Sequence, residues 1–128
     1  NKILVEVSVG ELLDKISILE IKKSKINDPE KLKYINDEHV ILKEQLDQNV
    51  KSSDKLKELF QSLKEINAKL WVIEDDKRLC EKNSDFTKDF IKLSRDVHFL
   101  NDDRARIKLE INVCTGSKIK EIKEYTNY

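Results

Sequence analysis

Eight polar side chains in this chain fall on or beside apolar helical stripes, and these are the residues able to do chemistry: Glu20, His39, Asn67, Glu74, Arg95, Asn101, Arg104 and Lys108. Arg95, Arg104 and Lys108 have the donors to hold an anionic group. Glu20 or Glu74 could act beside them as acceptor or base. An unpaired charge at a seam position costs several kcal/mol, on the order of the whole margin of stability, so each of these groups must find a partner or reach water. Two accounts stay open: a paired structural network that fixes helix register, and a pocket in a helical bundle that takes a phosphorylated or otherwise anionic ligand.

Other chemistry has less material. Bundles that bind paired metals use Glu-x-x-His motifs, but Asn36 stands three residues before His39 and Arg95 three before His98. No metal site is expected. Acids Glu74, Asp75 and Asp76, or Asp102 and Asp103, could meet magnesium beside a phosphate, yet consecutive acids point different ways around a helix and a solvated face explains them. The chain lacks a phosphate loop, a dinucleotide fingerprint and a nucleophile elbow, and only two glycines are available to build one. No cofactor is expected. Cys80 and Cys114 are too few for a disulfide framework or a zinc site and read as reduced packing residues. Trp71, one position off a seam, fills the core edge or an oligomer contact.

The elements that position these groups follow from periodicity. Ile3, Val5 and Val7 alternate with other residues, which suggests a short extended N-terminal segment or strand with one apolar face. Ser8 and Glu11 form an S-x-x-E capping box flanked by Val7 and Leu12, so a first helix starts there; its seam runs Leu12, Ile16, Leu19, Ile26 and it ends at Asn27. Asp28-Pro29 restarts a helix whose seam is Leu32, Ile35, His39, Leu42 and Leu46. After the polar stretch Asn49 to Ser53, a long helix runs from Asp54 to about Lys82. Asn83-Ser84-Asp85 supplies caps for a fourth helix, which closes near Thr115-Gly116. Segment 117–128 carries Ile119, Ile122 and Tyr125 at helical spacing, without a clear form.

The expectation is one all-α domain over residues 1–128: an antiparallel four-helix bundle with two shorter then two longer helices. Folding back about Asn83-Ser84 places Glu74 beside Arg95, Asn67 beside Asn101 and Leu70 opposite His98, with His39 near Ile16 and Leu63. Unequal helix lengths leave apolar surface uncovered, so a homodimer or a protein partner is expected.

Charge narrows the function classes. Lys plus Arg and Asp plus Glu number 25 each and are interleaved, so general nucleic-acid binding is disfavoured. No apolar run approaches the ~20 residues of a membrane span, and the N-terminus lacks the order of a signal peptide. No membrane association and a cytoplasmic setting are expected. Without any methionine, the first residue is not expected to be the translation start.

Three stretches carry a resemblance: Glu6 to Ile16, Leu70 to Asp75, and Asn101 to Asn112. Together they resemble an uncharacterised family of short bacterial and phage proteins, a domain of unknown function, and the similarity spans nearly the whole chain. The resemblance implies an association with glycosyltransferases and sugar-nucleotide enzymes, and thereby surface-polysaccharide metabolism. It emphasises Glu11, Asp14, Lys15, Glu20, Trp71, Glu74, Asp75, Arg95, Asn101, Arg104 and Lys108. Lys77 and His98 depart from the family pattern, which has an apolar residue and a tyrosine there. The leading expectation is a helical accessory or assembly protein; the alternative is a small enzyme or ligand-binding protein acting on a phosphorylated or sugar-nucleotide substrate.

Overall fold

The computed structural model describes residues 1–128 and contains four α-helices and no strand. They are α1 (Val9–Lys25), α2 (Pro29–Asn49), α3 (Asp54–Lys82) and α4 (Lys88–Thr115). The all-α bundle of two shorter helices followed by two longer ones is thus present, at 17, 21, 29 and 28 residues.

Local capping sets most boundaries. Ser8 accepts from the Glu11 amide at 3.0 Å, Asp28 from Glu30 at 3.0 Å with Pro29 at the first helical position, and Ser53 from Leu56 at 3.1 Å. At the far end Gly116 takes the left-handed conformation (φ 65°), and the Ser117 amide reaches back to the Asn112 carbonyl at 2.9 Å.

Two sequence expectations shift. α4 begins at Lys88, later than the Asn83-Ser84-Asp85 signal, because Ser84 adopts a positive φ of 52° and the Asp85 carboxylate turns onto the amide and hydroxyl of Thr87. The Asp85 cap serves a turn instead. The N-terminal alternation makes no strand and buries no face: Ile3 and Val5 are 87% and 74% exposed, with no neighbouring strand to pair them.

Leu13 and Ile16 of α1, Leu56, Leu59 and Leu63 of α3, and Ile107 and Ile111 of α4 form one buried cluster. Each contributes roughly 2 kcal/mol by leaving water. α1 is the hub: its backbone approaches all three other helices, whereas that of α2 approaches α1 alone. The cause is visible in α2 itself, whose only buried residue is Ile35. Leu42 and Leu46 reach the rim of the cluster from outside.

α1 crosses the α3–α4 hairpin obliquely, bonded to α4 at Gly10, to both helices at Asp14 and to α3 at Glu20. A Cβ on Gly10 would lie 2.6 Å from the Lys108 carbonyl oxygen, so glycine permits the close approach of α1 to α4. Beyond this crossing the hairpin continues uncovered. From Ala68 to Arg106 no residue is buried, and this arm exposes Val72, Leu79, Phe86, Ile91 and Phe99.

Candidate functional site

Gly10, Asp14 and Ser17 recur at spacings of four and three, so they form a small polar stripe along α1 beside the apolar seam. All three are buried, and Asp14 is only 2% exposed. Its Oδ1 accepts from Asn67 Nδ2 at 2.8 Å and Arg104 Nε at 3.0 Å, while its Oδ2 accepts from Arg104 Nη2. Lys108 Nζ lies 3.8 Å from the same Oδ2. Burial pushes the Asp14 carboxyl up, but the Arg104 and Asn67 hydrogen bonds and the two cations outweigh it and hold the group below the usual carboxylate range. The partnership raises the Arg104 pKa in turn, chiefly through the hydrogen bond to Asp14. Ser17 extends the network by accepting from Asn67 and donating to the Asp14 carbonyl, both at 2.8 Å.

Lys108 sits one turn further along α4. Its ammonium meets Glu11 Oε2 at 2.7 Å and Glu121 Oε2 at 3.7 Å, with its side chain 13% exposed. Glu11 therefore completes only half of the capping box: its amide reaches Ser8, while its carboxylate serves Lys108. The Ser8 hydroxyl donates to Glu121 Oε1 at 3.1 Å. At the start of α1 the Val9 amide donates to Ser117 Oγ, Gly10 to Asn112 Oδ1 and Leu12 to the Ser8 carbonyl. The four leading amides are consumed, and this helix end has none left for an anion.

The remaining sequence candidates divide. Glu20 and His39 come together on the α1–α2 face, with His39 Nε2 3.5 Å from Glu20 Oε2 and Lys64 Nζ 3.0 Å from Glu20 Oε1. The His39 nitrogen is buried without a hydrogen bond. Asn101 accepts weakly from Arg104 Nη1 at 3.4 Å, so Asn67 and Asn101 are linked through Asp14 and Arg104 rather than directly. Glu74 and Arg95 are not brought together. Glu74 pairs with Arg78 on its own helix at 3.4 Å, and Arg95 lies over the Phe99 ring at 5.9 Å. On an exposed arm a partner one turn away needs little ordering, and water screens the cross-helix attraction. His98 faces the C-terminal segment rather than Leu70: its ring stands 5.1 Å from that of Tyr128.

Segment 117–128 returns along α4. Glu121 ties it at one end, and at the other the Tyr128 hydroxyl bonds Asp102 while its ring meets Phe99 edge-on. Between segment and helix lies a cleft of about 650 Å³, lined by His98, Asn101, Arg104, Lys108, Glu121, Lys123 and Tyr125 among others. The cleft opens on the α4 face, where Arg104 and Lys108, both partners of Asp14, form part of its wall, while Glu20, His39, Asn67, Glu74 and Arg95 lie outside it.

Chemically, the wall is a matched set of charges. Asp14 and Arg104 are committed to each other, so neither is poised for proton transfer. Cys80 is no better placed as a nucleophile, since desolvation and the acids Asp85, Asp89 and Asp76 push its thiol up. Cys114, expected to pack, is exposed on the outer side of α4. No group of three or more His, Cys, Asp or Glu residues converges as a metal site would require. Asp14, Ser17, Asn112 and Glu121 escape the periodicity argument because each lies off an apolar seam; Asp14 enters only through the family resemblance. The available signal was the small stripe Gly10, Asp14, Ser17.

No curated protein and no solved structure shows significant similarity to this chain. A family profile, by contrast, matches residues 3–128, so the chain belongs to the family of unknown function DUF6165.

Proposed function

We propose that this protein is a helical assembly protein that works as a cytoplasmic homodimer, with surface-polysaccharide metabolism the setting implied by the family resemblance. One observation carries the reading: the α3–α4 arm from Ala68 to Arg106 buries no residue while exposing five large apolar side chains. Two helices alone cannot enclose an apolar stripe. Pairing of two arms about a twofold axis supplies the missing layer and produces four-helix packing along the arm.

A shallow groove on the arm, about 620 Å³, suits this occupant. Val72 and Ile73 of α3 face Phe99 and Leu100 of α4 across it, and Lys69 and Asp96 stand on its opposite walls. Under twofold symmetry Lys69 of each copy can meet Asp96 of the other, joining the Lys92 that holds Asp96 at 2.6 Å on its own helix. The enzyme alternative has less behind it, because Arg104 and Lys108 are already bonded to carboxylates of the same chain.

Light scattering after gel filtration tests the reading. Val72→Asp and Phe99→Glu place charges in the groove without touching the core, and each is expected to weaken dimerisation by at least about tenfold, or roughly 1.4 kcal/mol. Variants that associate as tightly as the parent chain refute it.

A further inference from the structure

The cleft beside α4 already holds an acid, supplied by the chain itself. Glu121 belongs to an irregular, exposed segment, yet both its oxygens are recognised: Oε1 by the Ser8 hydroxyl at 3.1 Å and Oε2 by the Lys108 ammonium at 3.7 Å. Ser8 is 1% exposed and its oxygen accepts from the Glu11 amide as the cap of α1, which leaves the hydroxyl proton to donate to Glu121. Charge supports the same conclusion. Lys15, Arg104 and Lys108 balance Glu11, Asp14 and Glu121, so removing Glu121 leaves one positive charge unmatched at the cleft end.

Elsewhere in the cleft Tyr128 holds Asp102 and Arg104 holds Asn101, but other polar side chains are free of such bonds. Asn101, His98, Lys123 and Tyr125 face it, and none of the last three has a hydrogen-bond or ion-pair partner. Its volume of about 650 Å³ exceeds what one carboxylate needs and falls in the range of small-molecule sites, about 300–1,000 Å³.

We propose that this cleft binds a carboxylate-bearing small molecule, whose acid group replaces Glu121 on Ser8 and Lys108 and whose ring or chain lies along α4 toward His98 and Tyr125. Segment 117–128 is then an internal competitor. Its tether gives Glu121 an effective concentration on the order of millimolar, so a ligand displaces it only by adding contacts in the cleft. The cleft shares no lining residue with the apolar groove of the arm, and binding here does not depend on self-association.

Glu121→Ala, which vacates the acid position, provides the test. Amide chemical shifts and melting temperature are followed as sodium acetate or sodium phenylacetate is added, against sodium chloride at equal ionic strength. Acetate is expected to move the Val9 to Glu11 amides and raise the melting temperature of Glu121→Ala, with a much smaller response in the parent chain. Phenylacetate, with a ring to bury, is expected to act at about tenfold lower concentration. In Glu121→Ala/Ser8→Ala the acetate-specific shifts at Lys108 and Val9 are expected to vanish. Responses identical to chloride, shifts scattered over the surface, or equal thresholds for the two acids would overturn the proposal.

Discussion

Arg104 grips Asp14 through two nitrogens, Nε and Nη2, and this pair joins α4 to α1 at the point where Asn67 of α3 also bonds the carboxylate. Three helices meet on one side chain. Asp14 is almost fully buried whereas the Arg104 side chain is 30% exposed, so the acid bears the larger desolvation cost and depends more on its partners.

Removing either partner is therefore expected to destabilise the fold unequally. Arg104→Ala leaves a buried carboxylate facing only Asn67 and Lys108, and should cost roughly 3–5 kcal/mol. Arg104→Lys restores charge but not the two-pronged geometry and should recover only part of the loss. Urea unfolding midpoints measure both; a loss below about 0.5 kcal/mol for Arg104→Ala would place the pair among ordinary surface contacts.

The same pair fixes a pH dependence. The Asp14 pKa is depressed in the folded chain by Arg104, Asn67 and Lys108 against the opposing effect of burial, so the unfolded state takes up a proton first as pH falls. The stability it contributes is complete above its unfolded value near 3.8 and is lost as pH drops through the lower folded value. Unfolding between pH 2 and 7 should show this decline below pH 4, with a shallower slope in Asp14→Asn. An unchanged slope in that variant would assign the acid sensitivity to other carboxylates.

The two glycines should fail differently. At Gly10 a methyl group meets the Lys108 carbonyl and Asn112 Oδ1, so Gly10→Ala forces α1 away from α4 and is expected to cost about 1–3 kcal/mol. At Gly116 nothing lies within 4 Å and only the positive φ matters, so Gly116→Ala should cost about 1 kcal/mol. Thermal unfolding of the pair gives the comparison; equal losses would remove the steric explanation for Gly10.

Helix identity was legible from sequence because it is local: Ser8, Asp28-Pro29 and Gly116 mark ends through bonds to residues within one turn. Position across the bundle was less so. Fold-back symmetry placed Asn67 and Asn101 in one layer, and Arg104 does connect them through Asp14, but symmetry carried no information about α1 crossing obliquely. Glu74 and Arg95 fail to meet because nothing excludes water from the arm, so each settles on its own helix. The role of Glu121 depends on an irregular segment returning over 113 residues to Ser8, a contact no periodicity encodes. Nor does alternation alone make a strand at Ile3 to Val7 when no second strand exists to pair it.

Self-association through the arm is tested most directly by sedimentation equilibrium of the parent chain over a wide concentration range. A reversible rise from the monomer mass to twice that mass, lost in Val72→Asp, is the predicted result. A species that stays at the monomer mass at every concentration would contradict it.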